Sequence, residues 1–389
     1  MKIGIFGGTF NPPHLGHISA AAAAWAELGL ERLIVIPNTM PPHKELAENS
    51  PPPEDRLAMT RAAFGKIGGA VEVSDIELKR DGKSYTVDTL AEIRELYPND
   101  EIILLMGTDM FLSLESWRAF EEIMKTVTLG VFQRSDGQED EISEARDRFS
   151  AKYGAKTVAV KNDPIDVSSS EIRAALPDRG GAAWRDGEVY GYIIRNSLYG
   201  AKPDFDWLRV KACEMLDPKR TRHVAGCEME AVKLARRWGE DESAAREAAI
   251  MHDCTKSLGL EEQLLLCEKY DIIADSVERG DAKLLHSKTG ACIAKCEFGV
   301  SDEACAAIRW HTTGKADMST LEKIIYLADY IEPSRAFDGL EELRRLAYED
   351  IDAAMLMGLQ MSLEDMRDRG IVPHKNSKDA IKWLAKREG

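Results

Sequence analysis

Five short apolar runs lie within the first 132 residues: KIGIF (2–6), ERLIVIP (31–37), GAVEVS (69–74), EIILLMG (101–107) and TLGVF (128–132). Helical patterns such as ISAAAAAWAELG and SYTVDTLAEIRELYP separate several of them, and a further run, KTVAVKN, precedes SSSEIRAAL. Strands apolar along their whole length are buried on both faces, and strands spaced by helices pair in parallel. The first half is therefore expected to be an α/β domain, a parallel sheet with helices on both faces.

From about residue 207 the pattern changes. Segments such as RHVAGCEMEAVKLARRWG, ESAAREAAIMHDC, DEACAAIRWH and LEKIIYLADYIE carry apolar residues at helical spacing, which predicts an all-α domain. LYGAKPDFDW joins the halves with turn formers and charges, so the expected division is a domain over 1–200, a linker over 201–206 and a domain over 207–389. A length of 389 residues fits two domains. The proline cluster NSPPPEDR (49–56) reads as a surface loop.

Fifty-one basic against sixty-seven acidic side chains give a net charge of −16, which argues against nucleic acid as the main partner. No apolar segment approaches the roughly 20 residues of a membrane helix, so no membrane partner is expected. MKIGIFGG reads as a buried strand and not as a signal peptide. Seven cysteines, all between Cys213 and Cys305 and without a CxxC pair, fit reduced thiols in the cytoplasm.

After the first strand comes GGTFNPPHLGH (7–17). Gly7 and Gly8 permit close backbone approach to a ligand. A helix starting near Leu15 would present free N–H groups and its positive end, which suits phosphate. His14 and His17 are then phosphate donors; as metal ligands they would need a third partner, and this half has only His43 besides.

This stretch resembles the HxGH signature of the nucleotidylyltransferase superfamily. PPHK (41–44), SYTVDTL (84–90), GTDMFLSLESW (107–117), VFQRSDG (131–137) and VSSSEIRAAL (167–176) narrow the resemblance to bacterial nicotinate-nucleotide adenylyltransferases, over residues 1–200. It implies a Rossmann-like domain that joins ATP, with Mg2+, to nicotinate mononucleotide, giving deamido-NAD and pyrophosphate. His14 and His17 would hold the ATP phosphates, together with Gly7, Gly8, Thr9, Phe10, Asp109, Ser168, Ser169, Ser170 and Arg173. Lys44, Thr86, Trp117 and Arg134 would hold the nicotinate nucleotide. Val167, Ser170 and Ser135 depart from the usual family residues.

The helical half places His223, His252, Asp253, His286, His311 and Asp329 on or at the ends of helical segments, interrupting apolar faces. Adjacent His252 and Asp253 can converge only at a helix bend or end. The order H…HD…D resembles the HD superfamily of metal-dependent phosphohydrolases, from about residue 205 onward. KLLHSKTGA, IRWHTTGKADMS and YLADYIEPSR resemble the bacterial diadenosine tetraphosphate hydrolases, which cut symmetrically to two ADP. Six ligands suit two transition-metal ions sharing Asp253, iron foremost, with manganese or a similar ion as the alternative. Lys256, a catalytic candidate, and Arg335 are expected phosphate contacts; His374 is expected to be structural or exposed.

The resemblances imply a bifunctional enzyme acting on small nucleotides: ATP, nicotinate mononucleotide and dinucleoside polyphosphates. Assembly into a homo-oligomer stays open. The alternatives are another phosphate acceptor for the first half, of pantetheine-phosphate or cytidylyl type, and a second half that regulates by binding nucleotide or hydrolyses a different one.

Overall fold

The computed structural model describes residues 1–40, 46–80, 82–135 and 137–386. The chain divides into two compact units, Met1–Ala201 and Lys202–Gly389.

The first unit is built on β1 (Lys2–Gly8), β2 (Arg32–Pro37), β3 (Val71–Val73), β4 (Glu101–Gly107), β5 (Thr128–Phe132) and β6 (Lys156–Val160). They form a fully parallel six-stranded sheet in the order β3-β2-β1-β4-β5-β6. The helices are α1 (Leu15–Leu28), α2 (Pro53–Phe64), α3 (Thr86–Leu96), α4 (Thr108–Leu112), α5 (Phe120–Thr126), α6 (Glu139–Tyr153), α7 (Ser169–Ala175) and α8 (Gly187–Arg195). Alternation splits each strand's apolar residues between two faces. Ile3, Ile5, Ile34, Ile36, Leu104 and Leu129 pack with Leu90, Phe111 and Phe149 of α3, α4 and α6. Phe6, Leu33, Val35 and Leu105 are buried on the other face, where Phe6 meets Phe64 of α2 edge-on. Strand order reverses between β1 and β4, and the crevice beyond their carboxyl ends is where such sheets bind ligands. Gly7, Gly8, Gly107 and Asp109 lie there.

One expectation is overturned. The proline cluster is not a surface loop throughout, because Pro53 opens α2, with Pro52 as its cap and Glu54 and Asp55 in its first turn. Proline suits this position because the first N–H groups of a helix lack partners anyway. Arg56 is fully buried.

The second unit is all-helical: α9 (Phe205–Met215), α10 (Pro218–Trp238), α11 (Glu242–Met251), α12 (Leu260–Lys269), α13 (Ala282–Phe298), α14 (Asp302–Trp310), α15 (Thr320–Ile331), α16 (Leu340–Glu349), α17 (Ile351–Asp368) and α18 (Lys375–Ala385). Helix α9 begins inside the stretch expected as linker, since the Asp204 carboxylate accepts the Trp207 N–H at 2.8 Å and caps it there. The core gathers Leu208, Leu234, Ile250, Ile308, Ile324, Leu327 and Leu359. Among the described residues no helix is long and apolar enough to cross a membrane, and all seven cysteines are free thiols.

Candidate active sites

In the first unit His14 is the N-cap of α1, 4% exposed. Its backbone N–H donates to His17 Nδ1 at 3.3 Å, and the two rings stack with centroids 3.7 Å apart. Because His17 Nδ1 accepts, the proton of the neutral ring sits on Nε2, leaving Nε2–H to donate elsewhere. His14 Nδ1 is buried without a partner. Gly16 completes the motif for a steric reason. A Cβ there would meet the His14 ring at 3.0 Å and the Ile165 carbonyl oxygen at 3.3 Å. A Cβ on Gly8 would strike the Phe10 ring at 2.8 Å, whereas one on Gly7 would meet nothing within 4 Å. The space above Gly7 is open to a ligand.

Burial, reinforced by the Arg134 charge and opposed by Glu171, lowers the His14 pKa to about 4. Burial, His14 and Arg134 lower that of His17 well below its ordinary value. Both rings are neutral near pH 7. Arg134 pairs with Asp109 at 2.5 Å and lies across the end of β4, where a Cβ on Gly107 would reach its Cδ at 2.9 Å. Ser168 caps α7, and its backbone N–H donates to Glu171 at 2.8 Å. Ser169 Oγ donates to the Pro12 carbonyl at 2.9 Å, and Arg173 donates to the Asn11 carbonyl at 2.6 Å and to Ser170 Oγ at 3.1 Å. The serine–arginine stretch is thus bonded to the histidine loop, across more than 150 residues of sequence.

Thr86 and Trp117 stand in a second group. Arg118 covers the Tyr85 ring at 4.6 Å, which joins the start of α3 to the tryptophan segment. Trp117 lines an open cleft of about 740 Å³ with Glu115, Phe120 and Lys125, and none of His14, His17 or Arg134 lines it. Lys44 and His43 lie outside the described residues.

The second unit draws its six expected ligands from different elements. His223 is on α10, His286 on α13 and Asp329 on α15; His252 with Asp253 follows the end of α11, and His311 follows α14. The end of α11 supplies the bend that adjacent ligands require. Asp253 is 1% exposed. Its Oδ1 lies 3.2 Å from His286 Nε2 and 3.6 Å from His311 Nε2, and its Oδ2 lies 3.5 Å from His252 Nε2 and 3.9 Å from His223 Nε2. His223 Nε2 is 3.1 Å from Asp329 Oδ1.

Three of the imidazoles share one arrangement. His252, His286 and His311 each place Nδ1 2.7 Å from a backbone carbonyl three residues earlier, those of Ala249, Lys283 and Ile308. A carbonyl only accepts, so Nδ1 carries the proton and Nε2 offers a lone pair. Burial lowers the His252 and His286 pKa values to about 4, against the pull of Asp253, which keeps these lone pairs free of protons. Yet His286 Nε2 and His311 Nε2 stand 3.1 Å apart, His252 Nε2 has no partner, and Asp253 Oδ1 makes no hydrogen bond. Convergent lone pairs and a buried carboxylate suit a divalent cation, so the donor set fits the metal that the motif implies. Burial disfavours charge on Asp253 and Asp329, yet both are held below the usual carboxylate range, Asp253 by its cationic surroundings, the Lys256 ammonium among them, and Asp329 by the His223 ring bonded to it.

Two of the surrounding groups, Glu332 and Arg220, went unread in the sequence. Glu332, 1% exposed, pairs with His223 Nδ1 at 3.0 Å, and a Cβ on Gly226 would meet its Oε2 at 2.6 Å. Despite burial, the Asp329 and Glu332 carboxylates raise the His223 pKa. Arg220 pairs with Asp253. Arg335 holds Asp329 Oδ1 at 2.6 Å, and Lys256 stands 3.0 Å from His286 Nε2. His374 caps α18 and pairs with Asp275 at 2.9 Å, a structural role. The glutamate lies inside YLADYIEPSR, but no spacing rule links it to His223, 109 residues away.

Two family descriptions match: Cytidylyltransferase-like over residues 5–175 and HD domain over residues 220–334. Among curated proteins, a probable nicotinate-nucleotide adenylyltransferase of Pseudomonas entomophila is 35% identical over 212 residues, covering 51% of this chain and 95% of that one. One of Carboxydothermus hydrogenoformans is 36% identical over 199 residues, covering 51% and 98%. A solved structure from Clostridium acetobutylicum, described as a predicted HD superfamily hydrolase involved in NAD metabolism, is 37% identical, with TM-score 0.47, covering 48% of this chain and all of that one. Through its first unit the chain belongs to the nicotinate-nucleotide adenylyltransferase family, and an HD domain follows it.

Proposed function

We propose that the chain is a bifunctional enzyme. The first unit transfers the adenylyl group of ATP to nicotinate mononucleotide, and the second hydrolyses diadenosine tetraphosphate to two ADP. The observation that carries the first assignment is the neutral histidine pair beside open space above Gly7, bonded to the Ser168–Arg173 stretch.

In this reading a phosphate oxygen of nicotinate mononucleotide attacks the α-phosphorus of ATP, and the bond to the pyrophosphate oxygen breaks. Little covalent help is needed, so positioning and charge stabilisation carry the rate. His17 donates Nε2–H to the triphosphate, and His14 sits at the positive end of α1 with it. Gly7, Gly8, Thr9 and Phe10 form the loop wall. Ser168, Ser169, Ser170 and Arg173 form the opposite one, and Asp109 binds on the adenosine side. Arg134 leaves Asp109 to meet substrate charge. Thr86, Trp117 and Lys44 take the nicotinate nucleotide, and Mg2+ accompanies the ATP.

In the second unit His223, His252, Asp253 and Asp329 would hold one divalent cation, and Asp253, His286 and His311 a second, with iron foremost. Such a pair, when bound, lowers the pKa of water and neutralises phosphate oxygens. Glu332 fixes the His223 ring. Lys256 places its ammonium beside Asp253 for a phosphate group, and Arg335 orients Asp329. The product is the test: with diadenosine tetraphosphate and a defined metal, ADP alone supports symmetric cleavage. AMP with ATP, or no turnover, contradicts it.

A further inference from the structure

The metal cluster has a neighbour that neither reading uses. Cys227 lies one turn beyond His223 on α10 and is 1% exposed. Its Sγ stands 3.4 Å from His223 Nε2 and 3.7 Å from His223 Nδ1. The ligating atoms of His223, Cys227, His252 and Asp329 all lie within 4.8 Å of one another. In the same group His252 Nε2 is buried and unpartnered. Atoms bound to one ion at about 2.0–2.3 Å stand roughly 3–4.5 Å apart, so small rotations suffice to bring these four around a single cation. A buried cysteine is ordinarily a small hydrophobe. This one instead faces an imidazole among carboxylates, at the i, i+4 spacing that puts two side chains on one helix face.

We infer that Cys227 is a ligand of the ion held by His223, His252 and Asp329, and that its sulfur makes this half of the cluster select thiophilic divalent cations. The inference rests on the metal-binding reading of the second unit. The other half, Asp253 with His286 and His311, offers only nitrogen and oxygen. The two positions are therefore chemically unequal, and soft ions such as Zn2+ or Co2+ enter the Cys227 side ahead of Mn2+. The thiol proton leaves to solvent as the ion binds.

The test is Co2+ titration of the metal-free full-length protein, followed by visible and near-ultraviolet absorption. The first equivalent is expected to bring a thiolate-to-Co2+ charge-transfer band, absent in Cys227→Val and Cys227→Ser, while both variants still bind Co2+. Preference for Zn2+ over Mn2+ should fall at least about tenfold in Cys227→Val. It should be unchanged in Cys292→Ser, which alters one of two neighbouring thiols elsewhere on α13, 3.9 Å from Cys296. Matching circular dichroism of the metal-free variants shows that the fold is kept. Co2+ binding without the band, or a band that survives in Cys227→Val, overturns the role of Cys227 and leaves the metal reading standing. Absence of any bound Co2+ overturns both.

Discussion

His14 and His17 sit where burial and a nearby guanidinium work against their charged forms. For His14 the sign follows directly. With a folded pKa of about 4 and an unfolded one near 6.5, the unfolded chain binds more protons between those values. The stabilisation is complete above pH 6.5 and is lost as pH falls toward 4, up to about 3 kcal/mol. Urea unfolding between pH 7 and 5 should show a steeper loss for the wild type than for His14→Gln. Equal slopes would contradict the burial of that ring. Gly16 gives a second prediction. Alanine early in a helix ordinarily stabilises by about 0.4–1 kcal/mol, but here its Cβ presses on the His14 ring. Gly16→Ala should therefore lower kcat about tenfold, the expected result of slight misplacement, without lowering the unfolding midpoint. Both histidines were legible from residue type and spacing beside a strand. The need for glycine between them was not, because the Ile165 carbonyl arrives from 149 positions away in the chain.

At the level of elements, the apolar runs and helical periods announced the sheet and the helices, since burial on both faces writes itself into composition. The exception was α2. Three prolines read as a loop, although proline just inside a helix start followed by acids is also a start signal. Arg56 was unreadable for a related reason: a charged side chain is expected outside. Its guanidinium donates to the carbonyls of Thr9 at 2.9 Å, Asn38 at 2.6 Å and Thr39 at 2.7 Å, tying the loop after β1 to the one after β2. Arg56→Leu leaves these acceptors short of a donor and should destabilise the first unit by about 3 kcal/mol or more, read by urea unfolding. A change below 1 kcal/mol would show that water replaces the guanidinium. In the second unit the candidate ligands were legible as a set because their types and order are distinctive. Glu332, Arg220 and Cys227 were not, because their roles exist only once α10, α11 and α15 have come together.

On the scale of the whole molecule, the residues named for each proposed site all belong to one unit of the chain. Metal removal should act on one unit alone. A cation at a hundredfold its dissociation constant stabilises its unit by about 2.7 kcal/mol, so chelation should lower the unfolding transition of the helical unit, and adenylyl transfer should be intact once the chelator is dialysed away and Mg2+ is restored with the ATP. The most direct test assays both reactions in one full-length preparation, with ATP plus nicotinate mononucleotide in one arm and diadenosine tetraphosphate in the other. His17→Ala should lose deamido-NAD formation about 10²–10³-fold with ADP release unchanged. Asp253→Asn should lose ADP release at least about 100-fold with deamido-NAD formation unchanged. A single substitution that abolishes both activities, or an Asp253→Asn protein that still releases ADP at the wild-type rate, would contradict two separate sites in one chain.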